Sequence, residues 1–211
     1  MMGLFHFRMN DVKKLLIIDV DGVLLSFKED TLSYIRNKSG KSFTTWHELN
    51  QVIPDYNERQ SFIKDFSASD LFGQMKGIPG AREALKLLQE EASIEIMALT
   101  SSWVDNMSLT RRRENLIQEV GWRENDPIVM LPLNSAKDDA LKSIYELNGT
   151  GLLIDDSLKN INSACNANHH FIHFKTKEDQ EAHERILKNT VHTWDGIIER
   201  LKQFKFLPQT G

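Results

Sequence analysis

The chain has 211 residues, 40% of them hydrophobic and 27% charged, which suits a folded domain with a buried core and excludes disorder as its main state. Lys plus Arg number 26 against 30 Asp plus Glu, a formal net charge of −4 that disfavours a general binder of nucleic-acid polymers. The single cysteine, Cys165, excludes an internal disulfide and a cysteine-built zinc cluster. No stretch approaches the ~18 apolar residues of a membrane span. The opening Met1 to Arg8 has no long apolar region of the secretory kind. A cytoplasmic protein that does not engage membranes is therefore expected.

In chain order, Leu15-Leu16-Ile17-Ile18 is an unbroken apolar run that stops at Asp19, the pattern of a strand buried on both faces of a parallel sheet. Residues 28–76 interleave aromatics (Tyr34, Phe43, Trp46, Tyr56, Phe62, Phe66, Phe72) with charges and contain no strand-like run. They predict three or four short helices, broken at Lys38-Ser39-Gly40-Lys41. After Gly77-Ile78-Pro79-Gly80, a helix is predicted from Ala81 to Gln89, with Ala84, Leu85, Leu87 and Leu88 at helical spacing. Ile94 to Leu99 reads as a second strand ending at Thr100-Ser101, followed by a polar helix over about 107–120. Ile128 to Leu131 is a third strand, and Ser135 to Leu147 a helix stopped by Asn148-Gly149. Gly151 to Ile154 is a fourth strand ending at Asp155-Asp156, with a helix over about 158–166. Phe171 to Phe174 is a fifth strand, and two helical segments close the chain, the last near Asp195 to Gln203. The alternation predicts an α/β fold with a doubly wound, mostly parallel sheet. Residues 1–27 and 77–211 would form its core, and 28–76 a small helical cap inserted after the first strand.

Ligands of open parallel sheets bind beyond the carboxyl ends of the strands. Asp19, Asp21, Thr100, Ser101, Asp155 and Asp156 fall there. Four carboxylates at one edge repel unless a pKa rises or a cation binds, and oxygen-only ligands suit Mg²⁺. Lys137 lies in the first turn of its predicted helix, where the macrodipole disfavours a cation, which suggests a role in holding an anion. Each feature alone has a plainer reading. Asp19-Val20-Asp21-Gly22 could be a turn, and Thr100-Ser101 or Asp155-Asp156-Ser157 helix caps. Arg111-Arg112-Arg113 reads as a solvated helix face, and Phe43, Trp46 and Tyr56 as core of the inserted segment. Trp103 either borders the substrate or packs in the core. His169, His170 and His173 sit at a strand start, where neighbours face opposite ways, and read as structural or surface residues rather than a metal site.

Together these residues carry a resemblance. The run Leu15-Leu16-Ile17-Ile18-Asp19-Val20-Asp21-Gly22-Val23-Leu24 resembles the first motif of the haloacid dehalogenase-like (HAD) superfamily. Thr100 is similar to its second motif, Lys137 to its third, and Asp155-Asp156 to its fourth, all in the family's order between residues 15 and 156. The resemblance implies a HAD-like Rossmannoid core and a phosphatase. Asp19 would attack phosphorus to form an aspartyl-phosphate, and Asp21 would donate a proton to the leaving oxygen and later take one from water. Thr100 and Ser101 would bind the phosphate, and Lys137 would bind it and neutralise charge. It further implies Mg²⁺ held by Asp19, the Asp21 carbonyl and the Asp155/Asp156 pair, one acid of which would act through water or orient Lys137. Asp21, two residues after Asp19 within the first motif, favours phosphatases and phosphomutases over dehalogenating or ion-pumping members. A helical cap implies a small phosphorylated metabolite as substrate. Phe66 to Gly80 loosely resembles the approach to the core in 5′-deoxyribonucleotidases, which puts nucleotides among the expected substrates. The alternatives are a phosphomutase or phosphotransferase of the same superfamily, or a HAD-fold binding protein without turnover. A receiver-type signalling domain would place its acidic pair on strand one, with no acidic pair after the Lys, and would be shorter.

Overall fold

A computed structural model describes residues 13–102, 106–133, 135–176 and 188–209. Trp103 and the opening Met1 to Arg8 lie outside the described residues, and the first of the two expected closing helices falls largely outside them. Six strands form one sheet: β1 (Lys14–Ile18), β2 (Ile94–Ser102), β3 (Ile128–Pro132), β4 (Leu152–Asp155), β5 (His170–Phe174) and β6 (Thr190–Val191). Their order is β3-β2-β1-β4-β5-β6, and the pairs are parallel. The α/β, doubly wound reading therefore holds. The edge strand β6 was not expected, because two residues carry no periodicity to read. β2 runs further than expected: Thr100 and Ser101 lie inside it, paired with Met130 and Leu131 of β3.

Strand β1 shows why the sheet is covered on both faces. Leu16 and Ile18 join one buried apolar cluster, and Leu15 and Ile17 join another. Successive side chains of a strand point to opposite faces, so a run without polar residues requires cover on each side. The helices α4 (Ala81–Glu90), α5 (Asn106–Val120), α6 (Asp138–Asn148), α7 (Leu158–Asn166) and α8 (Trp194–Gln203) accompany the strands. In α4 the inward residues are Ala81, Ala84, Leu85 and Leu88, while Leu87 faces solvent despite its place in the apolar run. The chain winds from β1 to β2 and β3 on one side, then crosses to β4, β5 and β6 on the other. The order reverses beside β1, so the carboxyl ends of β1, β2 and β4 meet where such sheets bind ligands.

Between β1 and α4 lie α1 (Phe27–Ser39), α2 (Trp46–Val52), α3 (Tyr56–Ala68) and a short 3-10 helix (Asp70–Gln74). α1 stops at Gly40, whose positive φ of 66° closes the helix within the expected break. Thr45 and Glu48 form a capping box on α2, and Asp55 caps α3 by accepting from the Asn57 and Glu58 amides. Phe66 is central to this layer, with ring centroids 5.5 Å from Tyr34, 5.9 Å from Phe72 and 6.0 Å from Phe27. Phe43 is buried as expected, but Tyr56 is exposed, and Trp46 is only partly buried because it borders a cleft. The layer's apolar residues belong to the same buried cluster as one face of the sheet. Among the described residues, no helix is long and apolar enough to cross a membrane.

Candidate active site

The loop after β1 is a tight coil that holds two acids. The Asp19 amide donates to the Ile154 carbonyl (2.9 Å), and the Val20 carbonyl accepts from the Leu24 and Leu25 amides, each at 2.9 Å. Trp194 of α8 anchors the coil from behind, its indole Nε1 donating to the Val23 carbonyl at 3.0 Å. Gly22 takes φ +84°, and a Cβ there would lie 2.6 Å from Asp156 Oδ2. Two independent constraints thus demand glycine: the left-handed backbone and the close approach of the second acidic loop. Gly22→Ala is expected to lower unfolding stability by about 1–3 kcal/mol, read from urea unfolding curves. A stability equal to that of the parent protein would show that the loop is not so constrained.

Lys137 immediately precedes α6, which starts at Asp138 rather than at Ser135. Its side chain is 2% exposed, and Nζ donates to Asp19 Oδ1 at 2.6 Å and to Asp155 Oδ2 at 2.7 Å. Burial by itself would lower the pKa of the amine. The two carboxylates more than reverse that and hold it above its ordinary value. Asp155 also accepts from the Ser157 amide (2.9 Å) and, on both oxygens, from Asn160 Nδ2 (3.1 Å each). Its hydrogen-bonding capacity is thus spent on Lys137 and on the start of α7. Asp156 faces the cleft, with its carboxylate 3.1 Å from Lys28 Nζ. Its carbonyl lies 3.2 Å from His173 Nε2, whose other nitrogen lies 3.0 Å from Thr190 Oγ1. Burial pushes the His173 imidazole down, which favours its neutral form. Because a carbonyl only accepts, Nε2 carries the proton and Nδ1 accepts from the threonine hydroxyl. His169 is fixed in the same way, accepting from the Gly151 amide (2.9 Å) and donating to the Leu141 carbonyl (2.8 Å). Both histidines are structural pins.

Asp19, Asp155 and Asp156 each bring an oxygen within 4.8 Å of the others. Burial pushes the Asp19 carboxyl up; Lys137 opposes this, and the carboxylates of Asp155, Asp156 and Asp21 add to it. An all-oxygen set with this excess of negative charge fits a hard divalent cation, which would relieve the repulsion. Thr100 is fully buried, and its Oγ1 has no hydrogen-bond partner among the described residues. A buried hydroxyl left in this state costs stability, so its place at the cleft fits a ligand oxygen.

The cleft has a volume of about 330 Å³. Asp19, Asp21, Thr100, Ser101, Lys137 and Asp156 form its floor, and Phe27, Lys28, Trp46, Ile63 and Ser67 of the inserted helices form its roof. The expected site residues are therefore brought together, with Asp155 just behind Lys137 rather than on the cleft surface. Two charged residues escaped the sequence reading. Lys28 lies in the first turn of α1, where a cation is as locally unfavourable as at Lys137, so the same signal was present for it. Arg112 corrects the solvated-face reading of Arg111-Arg112-Arg113: it is 0% exposed and pairs with Asp21, with Nη2 to Oδ2 at 2.9 Å and Nη1 to Oδ1 at 2.8 Å. Successive helix residues point ~100° apart, so three adjacent arginines cannot share one face, and nothing local says which turns inward. Burial pushes the Asp21 carboxyl up, against the pull of this guanidinium.

Neither family models nor curated proteins give a match to the chain. Solved structures do. A HAD family hydrolase from Deinococcus radiodurans R1, with bound phosphate and sodium, is 13% identical with a TM-score of 0.64, over 95% of this chain and 100% of that one. A haloacid dehalogenase-like hydrolase from Streptococcus pneumoniae is 12% identical with a TM-score of 0.62, over 90% and 99%. A Bacillus subtilis protein described as a HAD hydrolase, bound to magnesium, is 13% identical with a TM-score of 0.57, over 90% and 98%. At these identities the likeness is one of architecture, and it extends over nearly the whole of each chain: this protein has the fold of the haloacid dehalogenase-like hydrolases.

Proposed function

We propose that this protein hydrolyses a small phosphomonoester in the cleft between the sheet and the inserted helices, which act as a cap. One observation carries the reading: Asp19, Asp21, Thr100, Lys137 and Asp156, from four separate stretches of chain, line one cleft of about 330 Å³. A carboxylate nucleophile needs no base to activate it, only an environment that lets it meet an anionic phosphate. Lys137, fixed on Asp19, supplies a positive charge, and the Thr100 hydroxyl donates to a phosphate oxygen. Asp19 attacks phosphorus as the bond to the leaving oxygen breaks, and Asp21 gives that oxygen a proton. Water then attacks the same phosphorus, Asp21 takes its proton, and the bond to Asp19 breaks, releasing inorganic phosphate. Asp19, Asp156 and the Asp21 carbonyl would hold the cation, with Asp155 orienting Lys137. Mg²⁺ bound there would screen the phosphate from the carboxylates. The phosphate and the magnesium bound in two of the structural neighbours accord with this reading.

The volume sits at the small end of the roughly 300–1,000 Å³ span of small-molecule sites, which argues for a metabolite rather than a protein substrate. Phe27, Trp46 and Ile63 would meet its organic part, and the indole face of Trp46 suits a planar group such as a nucleobase. The test is phosphate release across a panel of nucleotides, sugar phosphates and other monoesters, with and without chelator. Release should depend on Mg²⁺, stop with EDTA and return when the ion is restored. Turnover indifferent to chelation would remove the metal from the reading, and a panel without any turnover would leave the fold a binding protein.

A further inference from the structure

Arg112 is a buried charge that the phosphatase reading does not use, and it is paired with the part-buried Asp21, which that reading does use. A fully buried arginine is costly unless its charge is matched, and among the described residues Asp21 is the polar partner Arg112 has. The guanidinium also stacks on Phe72, its carbon 4.2 Å from the ring centroid. Phe72 belongs to the 3-10 helix through which the chain returns from the inserted helices to the sheet. Phe72 packs on Phe66, which packs on Phe27 in the roof of the cleft. A continuous row of side chains, Phe27-Phe66-Phe72-Arg112-Asp21, thus joins the roof to the floor.

The rest of α5 fastens the same returning segment. Arg111 donates to the Ala68 carbonyl and to Asp70 Oδ1, both at 2.8 Å. Asn115 donates to the Met75 carbonyl at 2.8 Å, and Glu119 accepts from the Gly77 amide at 3.1 Å. Of the residues fastening this segment, Arg112 is the one that also grips a carboxylate of the floor. Resting on the phosphatase reading, we propose that Arg112 is the positioning residue of Asp21. Its Nη2 donates to Asp21 Oδ2 while Nη1 lies 2.8 Å from Oδ1, a fork that sets the orientation of the carboxylate, and the ring of Phe72 stacks on the guanidinium. The seating of the helical layer therefore sets where the proton donor stands.

The test compares kcat/KM, which reports the first covalent step, on two kinds of ester. An alkyl phosphomonoester needs a proton on its leaving oxygen, whereas p-nitrophenyl phosphate releases a stabilised phenolate without one. Their ratio cancels any loss of folded or active enzyme, which a merely structural role would cause. Arg112→Lys keeps the charge but loses the fork, and is expected to lower the alkyl-to-aryl ratio ~10- to 100-fold, part of what a misplaced general acid forfeits. In an Asp21→Asn background the same change should leave the ratio untouched, because the two residues act as one unit. Phe72→Leu, which spares the ion pair, should move the ratio the same way by a smaller factor. An unchanged ratio in folded Arg112→Lys overturns the proposal. If that variant does not fold, an unchanged ratio in Phe72→Leu overturns it instead. A wild-type protein active on aryl but on no alkyl esters also overturns it, since no proton donor is then needed. A wild-type protein inert toward all esters fails earlier, at the phosphatase reading itself.

Discussion

If Asp19 is the nucleophile proposed above, Asp19→Asn is expected to retain the fold and to lose about 10⁴-fold or more in kcat for phosphate release, the scale seen when a covalent nucleophile is removed. The amide keeps the shape of the carboxylate but is a far weaker nucleophile, so the proposed covalent step should not begin. The same change should spare stability or raise it. Asp19 is buried beside three other acids, and its charge is opposed by burial as well as by those neighbours. Lys137 retains Asp155 as a partner after the substitution. A functional site that holds like charges together commonly trades stability for activity, and removing one charge reverses that trade. Steady-state phosphate release and a thermal melt on the same sample check both halves. Turnover near that of the parent protein would mean that another group attacks phosphorus. A collapsed melting temperature would mean that the Asp19–Lys137 pair is chiefly structural.

Lys137→Met is the second large effect, and here activity and stability fall together. The ammonium is the shared partner of Asp19 and Asp155, and its loss leaves two buried carboxylates facing each other. Breaking a buried pair in this way costs about 3–5 kcal/mol, a large part of the stability of an ordinary domain. The sign of the pH dependence follows from linkage. Without the lysine, burial and the neighbouring carboxylates act unopposed on Asp19, which binds its proton more tightly in the folded than in the unfolded chain. The contribution of Asp19 is most favourable below the ordinary carboxylate range and is lost as pH rises through its raised folded pKa. The deficit of Lys137→Met relative to the parent protein should therefore narrow as pH falls toward that range, measured by urea unfolding at a series of pH values. Adding Asp155→Asn should recover part of the stability at neutral pH without recovering turnover. A deficit independent of pH would show that Lys137 stabilises by packing rather than by charge.

The elements that were legible in the sequence are those whose signal is local. Leu15 to Ile18 had to be covered on both faces because it offers no polar side, and the two apolar clusters around β1 are that cover. The acids at 19, 21, 155 and 156, Thr100 and Lys137 could be gathered in advance because parallel strands end on one side of a sheet, so residues that end strands become neighbours. The signals that failed were those needing a direction or a partner. Leu87 shares its helix's apolar run and faces water, and Tyr56, an aromatic expected in the core of the inserted segment, is exposed. β6 consists of two residues held by pairing with β5.

What the chain itself determined is the order of its elements and the chemistry carried at the strand ends, since periodicity and strand termini are properties of neighbouring residues. The tertiary structure alone decided three things. Asp155 is turned to Lys137 and Asn160, while Asp156 faces the cleft. Lys28 reaches Asp156 across the cleft from the inserted helices. Arg112, rather than Arg111 or Arg113, is drawn inside by Asp21, a partner that stands 91 positions away in sequence. Which member of a charged run is buried depends on the charge that awaits it, and that charge comes from a segment the local pattern does not contain.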